Sequence, residues 1–87
     1  MNYTIYIKPK AKKQLLLLMK NDRDRIVKII DALENNPFPH HCRKLEGYDS
    51  YFRIRTGNFR IVYSVAEKHL IVEIIKIGHR KDIYRGK

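Results

Sequence analysis

Three β-rich runs in the second half of the chain constrain the fold most. They are "YFRIR" at 51–55, "FRIVYSV" at 59–65 and "LIVEIIKI" at 70–77, and only "TGN" and "AEKH" separate them. Connections this short join antiparallel neighbours, because a parallel crossover needs about a dozen residues or more. The segment is therefore predicted to form a three-stranded antiparallel meander.

The first half of the chain predicts one further strand and a helix. Residues 2–8, "NYTIYIK", alternate as a strand does, and from Pro9 good helix formers predict a helix of about 11 residues. The run "LLLL" at 15–18 is wider than one apolar face. Core packing is the simpler interpretation, and a surface for a partner is the alternative.

A second helix follows, with Asn21 or Asp22 as its predicted cap. Its apolar residues have the spacing i, i+3, i+4 and i+7, and they are Ile26, Ile29, Ile30 and Leu33. The prolines of "NNPFPHH" at 35–41 end the helix, and a loop is predicted to continue to Gly47. The order β-α-α-β-β-β predicts an α+β fold, with a helical hairpin packed on one face of a four-stranded, mainly antiparallel sheet.

Length and charge limit the class of protein. Eighty-seven residues, 44% hydrophobic and 32% charged, predict one folded domain spanning 1–87. A net charge of +10 and a pI near 10.0 favour an anionic partner, which is a nucleic acid, an acidic protein or a membrane surface. No segment approaches the roughly 18 apolar residues of a membrane span, and the N-terminus lacks a signal-peptide core, so we expect a cytoplasmic protein. The lone Cys42 excludes an internal disulfide.

Strand alternation predicts where the arginines of the hairpin point. If Gly57 and Asn58 form the turn, the predicted pairs across the hairpin are Thr56 with Phe59, Arg55 with Arg60, Ile54 with Ile61 and Arg53 with Val62. That register directs Phe52, Ile54, Ile61 and Tyr63 towards the helices. It directs Arg53, Arg55 and Arg60 together to the opposite face. Three guanidiniums there could receive a phosphate, or they could form a solvated basic face without a ligand.

The last strand is predicted to bring more of the basic residues to this region. Because it runs antiparallel to the strand before it, its end lies beside the start of that strand, near Arg60. We expect Gly78 to turn the chain and to deliver His79 and Arg80 to the same edge as the arginines. Tyr84 follows one turn later and could stack on an unpaired base.

These residue types suggest RNA cleavage by the substrate's own 2′-hydroxyl. Arg55 and Arg60 would stabilise the charge that develops on the phosphoryl oxygens, and His79 would donate or accept a proton. No metal or cofactor is expected, since adjacent His40, His41 and Cys42 seldom converge on one ion. Glu46 is either a carboxylate base or, as we favour, an ordinary turn residue.

The motifs resemble those of a known family. "KLEGYDSYFRIRTGNFRIVYSV" together with "IIKIGHRKDIY" resembles the RelE toxins of the RelE/ParE superfamily. The resemblance extends over the whole chain in length, strand order and helical hairpin. It implies a metal-independent nuclease that cuts messenger RNA in the ribosomal decoding site, and a cognate antitoxin that silences it. The charge of +10 suggests that this antitoxin is acidic.

The resemblance also implies roles for individual residues. Arg60 matches an arginine that stabilises phosphate, Arg80 one that protonates or stabilises the leaving oxygen, and Tyr84 a tyrosine that orients the target nucleotide. Arg53 and Arg55 stand where other members have lysines. One of those lysines is a proposed general base, so the resemblance does not identify the base in this chain. The basic residues assigned to RNA binding are Arg53, Arg55, Lys44, Lys81 and Arg85.

Two alternatives stay open. The ParE branch shares the fold but poisons DNA gyrase, and it lacks the combination of Arg60, His79, Arg80 and Tyr84. The other alternative is a basic module that binds RNA without cutting it. Binding that falls with salt, without product ends, would indicate that module.

Overall fold

The computed structural model describes residues 2–47 and 50–79, and in these ranges two helices cover one face of a mixed five-stranded sheet. The elements are β1 (Thr4–Ile7), α1 (Pro9–Leu16), α2 (Lys20–Ala32), β2 (Cys42–Lys44), β3 (Tyr51–Thr56), β4 (Phe59–Ala66) and β5 (Ile71–His79). The strand order is β1-β5-β4-β3-β2, with β1 parallel to β5 and the other neighbours antiparallel. The predicted fold class is confirmed, and the sheet has one strand more than predicted.

The additional strand is β2, in the segment predicted to be loop. Its pairs with β3 are Cys42↔Ile54, Arg43↔Arg53 and Lys44↔Phe52. Three residues, two of them charged, are too few to show an alternating pattern in sequence. A short, charged strand is nevertheless a common way to end a sheet, because it discourages pairing with another chain.

The β3–β4 hairpin has the predicted register. Thr56 pairs with Phe59, Arg55 with Arg60, Ile54 with Ile61 and Arg53 with Val62. Gly57 in the turn has φ +58°, and a Cβ there would stand 3.0 Å from Nη2 of Arg25. Arg25 itself donates through Nε to Oγ1 of Thr56 at 3.0 Å, so α2 is tied to the turn.

Strand β5 is longer than predicted. Gly78 pairs with Arg60 and His79 pairs with Phe59, so the predicted turn at Gly78 is wrong and the ladder continues through it. The register shifts between Val62 and Tyr63, which pair with Lys76 and Ile74. Ile75 is therefore the extra residue of a β-bulge.

The helices differ from the prediction at their ends. α1 stops at Leu16, and α2 begins at Lys20 with Met19 as its cap, without a side-chain capping bond, so the predicted caps at Asn21 and Asp22 are wrong. Asp22 lies in the first turn instead, where its negative carboxylate interacts favourably with the positive end of the helix dipole.

The leucine run divides between core and surface. Leu15 is buried and Leu18 packs against the core, whereas Leu16 and Leu17 are exposed, Leu17 by 85%. The run therefore contributes to the core through two of its four side chains.

The core lies between the helices and the sheet. Its fully buried large side chains are Tyr63, Ile26, Leu33, Ile54, Ile61, Ile74, Ile77 and Val72. The hydroxyl of Tyr63 donates to the carbonyl oxygen of Pro37 at 2.8 Å and fastens the loop after α2 to the sheet. Burial, assisted by the neighbouring Cys42 thiol, raises the pKa of the Tyr63 phenol, which stays protonated.

Neither helix in the described part of the chain has the length and apolar character that crossing a membrane requires.

Candidate nucleic-acid interface

The sheet face opposite the helices, here called the open face, carries the arginines in two cross-strand rows. One row is Arg43, Arg53, Val62 and Lys76. The other is Arg55, Arg60 and Gly78. The predicted placement of Arg53, Arg55 and Arg60 on one face follows from this register, and Arg43 and Lys76 add to it.

A cavity of about 300 Å³ opens on this face beside β2. Its lining residues are His41, Arg43, Arg53 and Arg55, and we call it the cationic cleft. Each guanidinium presents a planar set of donors that matches a phosphate group. An anionic ligand would also relieve the repulsion within the Arg43–Arg53 and Arg55–Arg60 pairs, since like charges opposite each other destabilise a sheet.

Arg60, next to the cleft, is the buried charge of the site. Its side chain is 3% exposed, and Nη1 donates to the carbonyl oxygen of Phe59 at 3.2 Å. Its Nε is buried and has no hydrogen-bond partner among the residues that the structure describes. A buried polar atom without a partner is costly, and it is a feature typical of ligand and catalytic sites.

Gly78 faces Arg60 across the β4–β5 pair. Because glycine has no side chain, the strand neighbour of Arg60 adds no side chain to the open face beside the guanidinium. Arg60 itself is held by the sheet rather than by a flexible loop, and such rigidity favours precise placement of its charge.

His79 reaches the predicted edge but lies on the other face. It pairs with Phe59, and the two rings make an edge-to-face contact with centroids 5.9 Å apart. Phe59 packs against the core, so the imidazole lies on the helix side, where it lines a groove of about 220 Å³ with Gln14, Leu17 and other residues. The ends of β4 and β5 lie side by side as predicted, and alternation beyond Gly78 directs His79 to the helix side.

The end of β5 is held from the helix side by a hydrogen bond. Oε1 of Gln14 in α1 accepts from the backbone N–H of Ile77 at 2.8 Å. β1 pairs with β5 only as far as Ile74, so the outer edge of β5 is uncovered by that strand beyond this residue. Gln14 supplies the acceptor there.

Lys44 also lies on the helix side, because it pairs with Phe52 rather than with an arginine. The cleft is lined instead by His41 and Arg43, at the odd-numbered positions of this segment. Neither was predicted to be a site residue. Alternation on either side of Cys42 could have indicated these two residues, but the pattern can be applied only once β2 is recognised as a strand.

The remaining predicted site residues divide into two groups. Arg80, Lys81, Tyr84 and Arg85 lie outside the described residues. Glu46 is exposed in a turn beside Gly47, whose φ is +83°, as the turn interpretation predicts. Within residues 2–47 and 50–79, no group of three or more His, Cys, Asp or Glu side chains is arranged to hold a metal.

Comparison with known proteins gives consistent matches along the chain. Residues 5–84 match the family model of the ParE toxin of the type II toxin-antitoxin system, parDE. The putative toxin RelE1 of Methanocaldococcus jannaschii is 30% identical over 89 residues, covering 99% of both chains.

Solved structures of RelE–RelB complexes also resemble this chain. The archaeal RelE–RelB complex from Pyrococcus horikoshii OT3 superposes with a TM-score of 0.82 at 33% identity, covering 92% of this chain and 97% of that one. For the RelB–RelE antitoxin–toxin complex from Methanococcus jannaschii the TM-score is 0.74 at 30% identity, with coverages of 93% and 96%.

Proposed function

The chain belongs to the RelE/ParE superfamily as a RelE-type toxin of a type II toxin-antitoxin system, and from this premise we propose that it is a ribosome-dependent mRNA endonuclease. Cutting the message would stop translation. The proposal places the protein in the cytoplasm, where the ribosomes are.

The observation that carries the proposal is the buried guanidinium of Arg60 beside the cationic cleft. An Nε without a partner among the described residues has a hydrogen bond still to make, which an anion beside it could accept. Fixed donors aimed at developing negative charge often make the largest single contribution to catalysis.

The reaction that suits these residues is transesterification by the 2′-hydroxyl. The 2′-oxygen forms a bond to the adjacent phosphorus, and the bond from phosphorus to the 5′-oxygen breaks. Charge on the phosphoryl oxygens is stabilised by Arg60 and by Arg55, which pairs with it across the hairpin. The products carry a 2′,3′-cyclic phosphate and a 5′-hydroxyl. The proposed steps use protein side chains and do not require a metal ion.

The C-terminal residues enter the proposal through the family resemblance. Arg80 is proposed to stabilise or protonate the leaving oxygen, and Tyr84 to stack on the target nucleotide. This proposal is supported by the end of β5, where His79, the last described residue, pairs with Phe59 at the start of β4. Lys81 and Arg85 are proposed to contact RNA phosphates.

We propose an acidic antitoxin as the protein partner. The relatives from Pyrococcus horikoshii and Methanococcus jannaschii were crystallised with RelB antitoxins. A net charge of +10 would favour association with an acidic chain and speed it.

Gyrase inhibition is the second candidate, because the matched family model is that of the ParE toxin. Expression in cells distinguishes the two functions. A nuclease arrests translation and leaves messages truncated within codons, and Tyr84→Phe weakens the effect. Intact messages together with a collapse of DNA supercoiling would instead support the gyrase function.

A further inference from the structure

The cationic cleft contains one residue that is not an arginine. His41 directly precedes Cys42, whose Cα pairs with Ile54 of β3. His41 stands one residue before β2, in a turn, and it lines the cleft together with Arg55. His41 also lines the groove against α2, so it lies at the edge of the sheet where the cationic cleft meets that groove, beside an arginine of the proposed site.

The proposed reaction requires a group that removes the 2′-hydroxyl proton. The three arginines of the cleft cannot do so, since a guanidinium stays protonated in proteins. Histidine is the side chain that ordinarily gains and loses a proton between about pH 5 and 8. Among the described residues that line the cleft, His41 is the one that is not an arginine.

Other candidate bases are less well placed. Glu46 is exposed in a turn and does not line the cleft. The ring of His79 packs against Phe59 on the helix side, with centroids 5.9 Å apart. The sheet thus separates His79 from the arginines of the cleft.

We infer that His41 is the general base, an inference that rests on the proposed function. A ring nitrogen of His41 accepts the 2′-hydroxyl proton as the 2′-oxygen bonds to phosphorus. The bond from phosphorus to the 5′-oxygen breaks, and that oxygen gains a proton that solvent ultimately supplies. The imidazolium then returns its proton to solvent, so that the enzyme is regenerated.

Among the described residues, cationic side chains and one further imidazole lie near His41. Arg43, Arg53 and Arg55 line the cleft with it. The ring of His40 makes an edge-to-face contact with the ring of His41, with centroids 5.6 Å apart, and Lys28 of α2 lines the adjoining groove together with His41.

Single-turnover cleavage of messenger RNA on programmed ribosomes tests the inference. His41→Ala should slow cleavage by about 100-fold or more, the usual contribution of a general base. The wild-type rate should rise with pH where imidazole loses its proton, and the variant should lose that rise. His69→Ala, which alters an exposed histidine in the β4–β5 turn, is the matched control.

A second variant distinguishes loss of the base from misfolding of the His41→Ala protein. Adding Arg55→Lys to His41→Ala places beside the vacated position an amine that, unlike a guanidinium, can give up its proton. It should restore part of the rate and shift the pH profile upward. A His41→Ala rate within about threefold of wild type, with the same pH profile, would overturn the inference.

The outcomes also separate the inference from the function. If Arg60→Ala abolishes cleavage and His41→Ala does not, the nuclease assignment stands and the base lies elsewhere. If the wild-type protein cuts no message, both are overturned.

Discussion

Arg60 combines burial, a full charge and an Nε without a partner among the described residues. Arg60→Ala should lower the cleavage rate by about 100- to 1,000-fold, as removal of a fixed donor does in comparable sites. Arg60→Lys keeps the charge but loses the planar fork, and it should recover only a small part. Single-turnover rates on programmed ribosomes measure both.

Arg23→Ala is the matched control, because it removes the same charge from α2 on the helix side. An equal loss of rate in Arg23→Ala and Arg60→Ala would show that net charge, rather than the position of Arg60, sets the rate.

Tyr63 gives a prediction about stability. Tyr63→Phe leaves the buried carbonyl oxygen of Pro37 without its 2.8 Å donor and should cost about 1–3 kcal/mol of unfolding free energy. The raised pKa of Tyr63 also means that the folded protein retains the proton while the unfolded chain loses it above about pH 10.

Wild-type stability should therefore fall above that pH more steeply than the stability of Tyr63→Phe. Urea unfolding at a series of alkaline pH values measures the difference. Parallel curves would contradict the assignment of a buried, protonated phenol.

Residue positions followed from the sequence where regular alternation applied. Arg53, Arg55 and Arg60 were placed on one face by counting from the turn. The burial of Arg60 was not predictable, because it depends on what covers the side chain rather than on its parity. His79 could have been placed by extending the same count beyond Gly78.

At the scale of elements, Gln14 connects α1 to the end of β5. Gln14→Met preserves length but removes the acceptor of the Ile77 N–H, and should cost about 1 kcal/mol. Hydrogen exchange at the Ile77 amide should accelerate, whereas Gln14→Glu, which keeps an oxygen acceptor, should retain protection. Unchanged exchange in Gln14→Met would show that this bond does not hold the strand end.

The elements were predictable in proportion to the strength of their local patterns. The β3–β4 hairpin combined two alternating runs with a glycine turn, and its register is as expected. β2 has three residues and depends on β3 for its existence, so no local pattern reveals it. The start of α2 was missed because Met19 caps it without a side-chain bond, and no capping preference marks such a position.

At the scale of the whole molecule, a net charge of +10 predicts binding to RNA that weakens with salt. Four phosphate contacts, one for each arginine of the cleft and one for Arg60, give a slope of about −3 for log affinity against log salt on single strands. Arg55→Ala should reduce the magnitude of that slope by about 0.7, and Arg23→Ala on the helix side should leave it unchanged. Equal slopes for both variants would indicate binding by overall charge alone.

The most direct measurement is end mapping of a message on purified ribosomes, with and without a single 2′-deoxynucleotide at the cut site. If the open face catalyses transesterification, the wild-type protein produces a new 5′-hydroxyl end within one codon. The 2′-deoxy message and the Arg60→Ala protein should each yield almost none. Cleavage that persists on the 2′-deoxy message, or no cleavage by the wild-type protein, would contradict the proposed function.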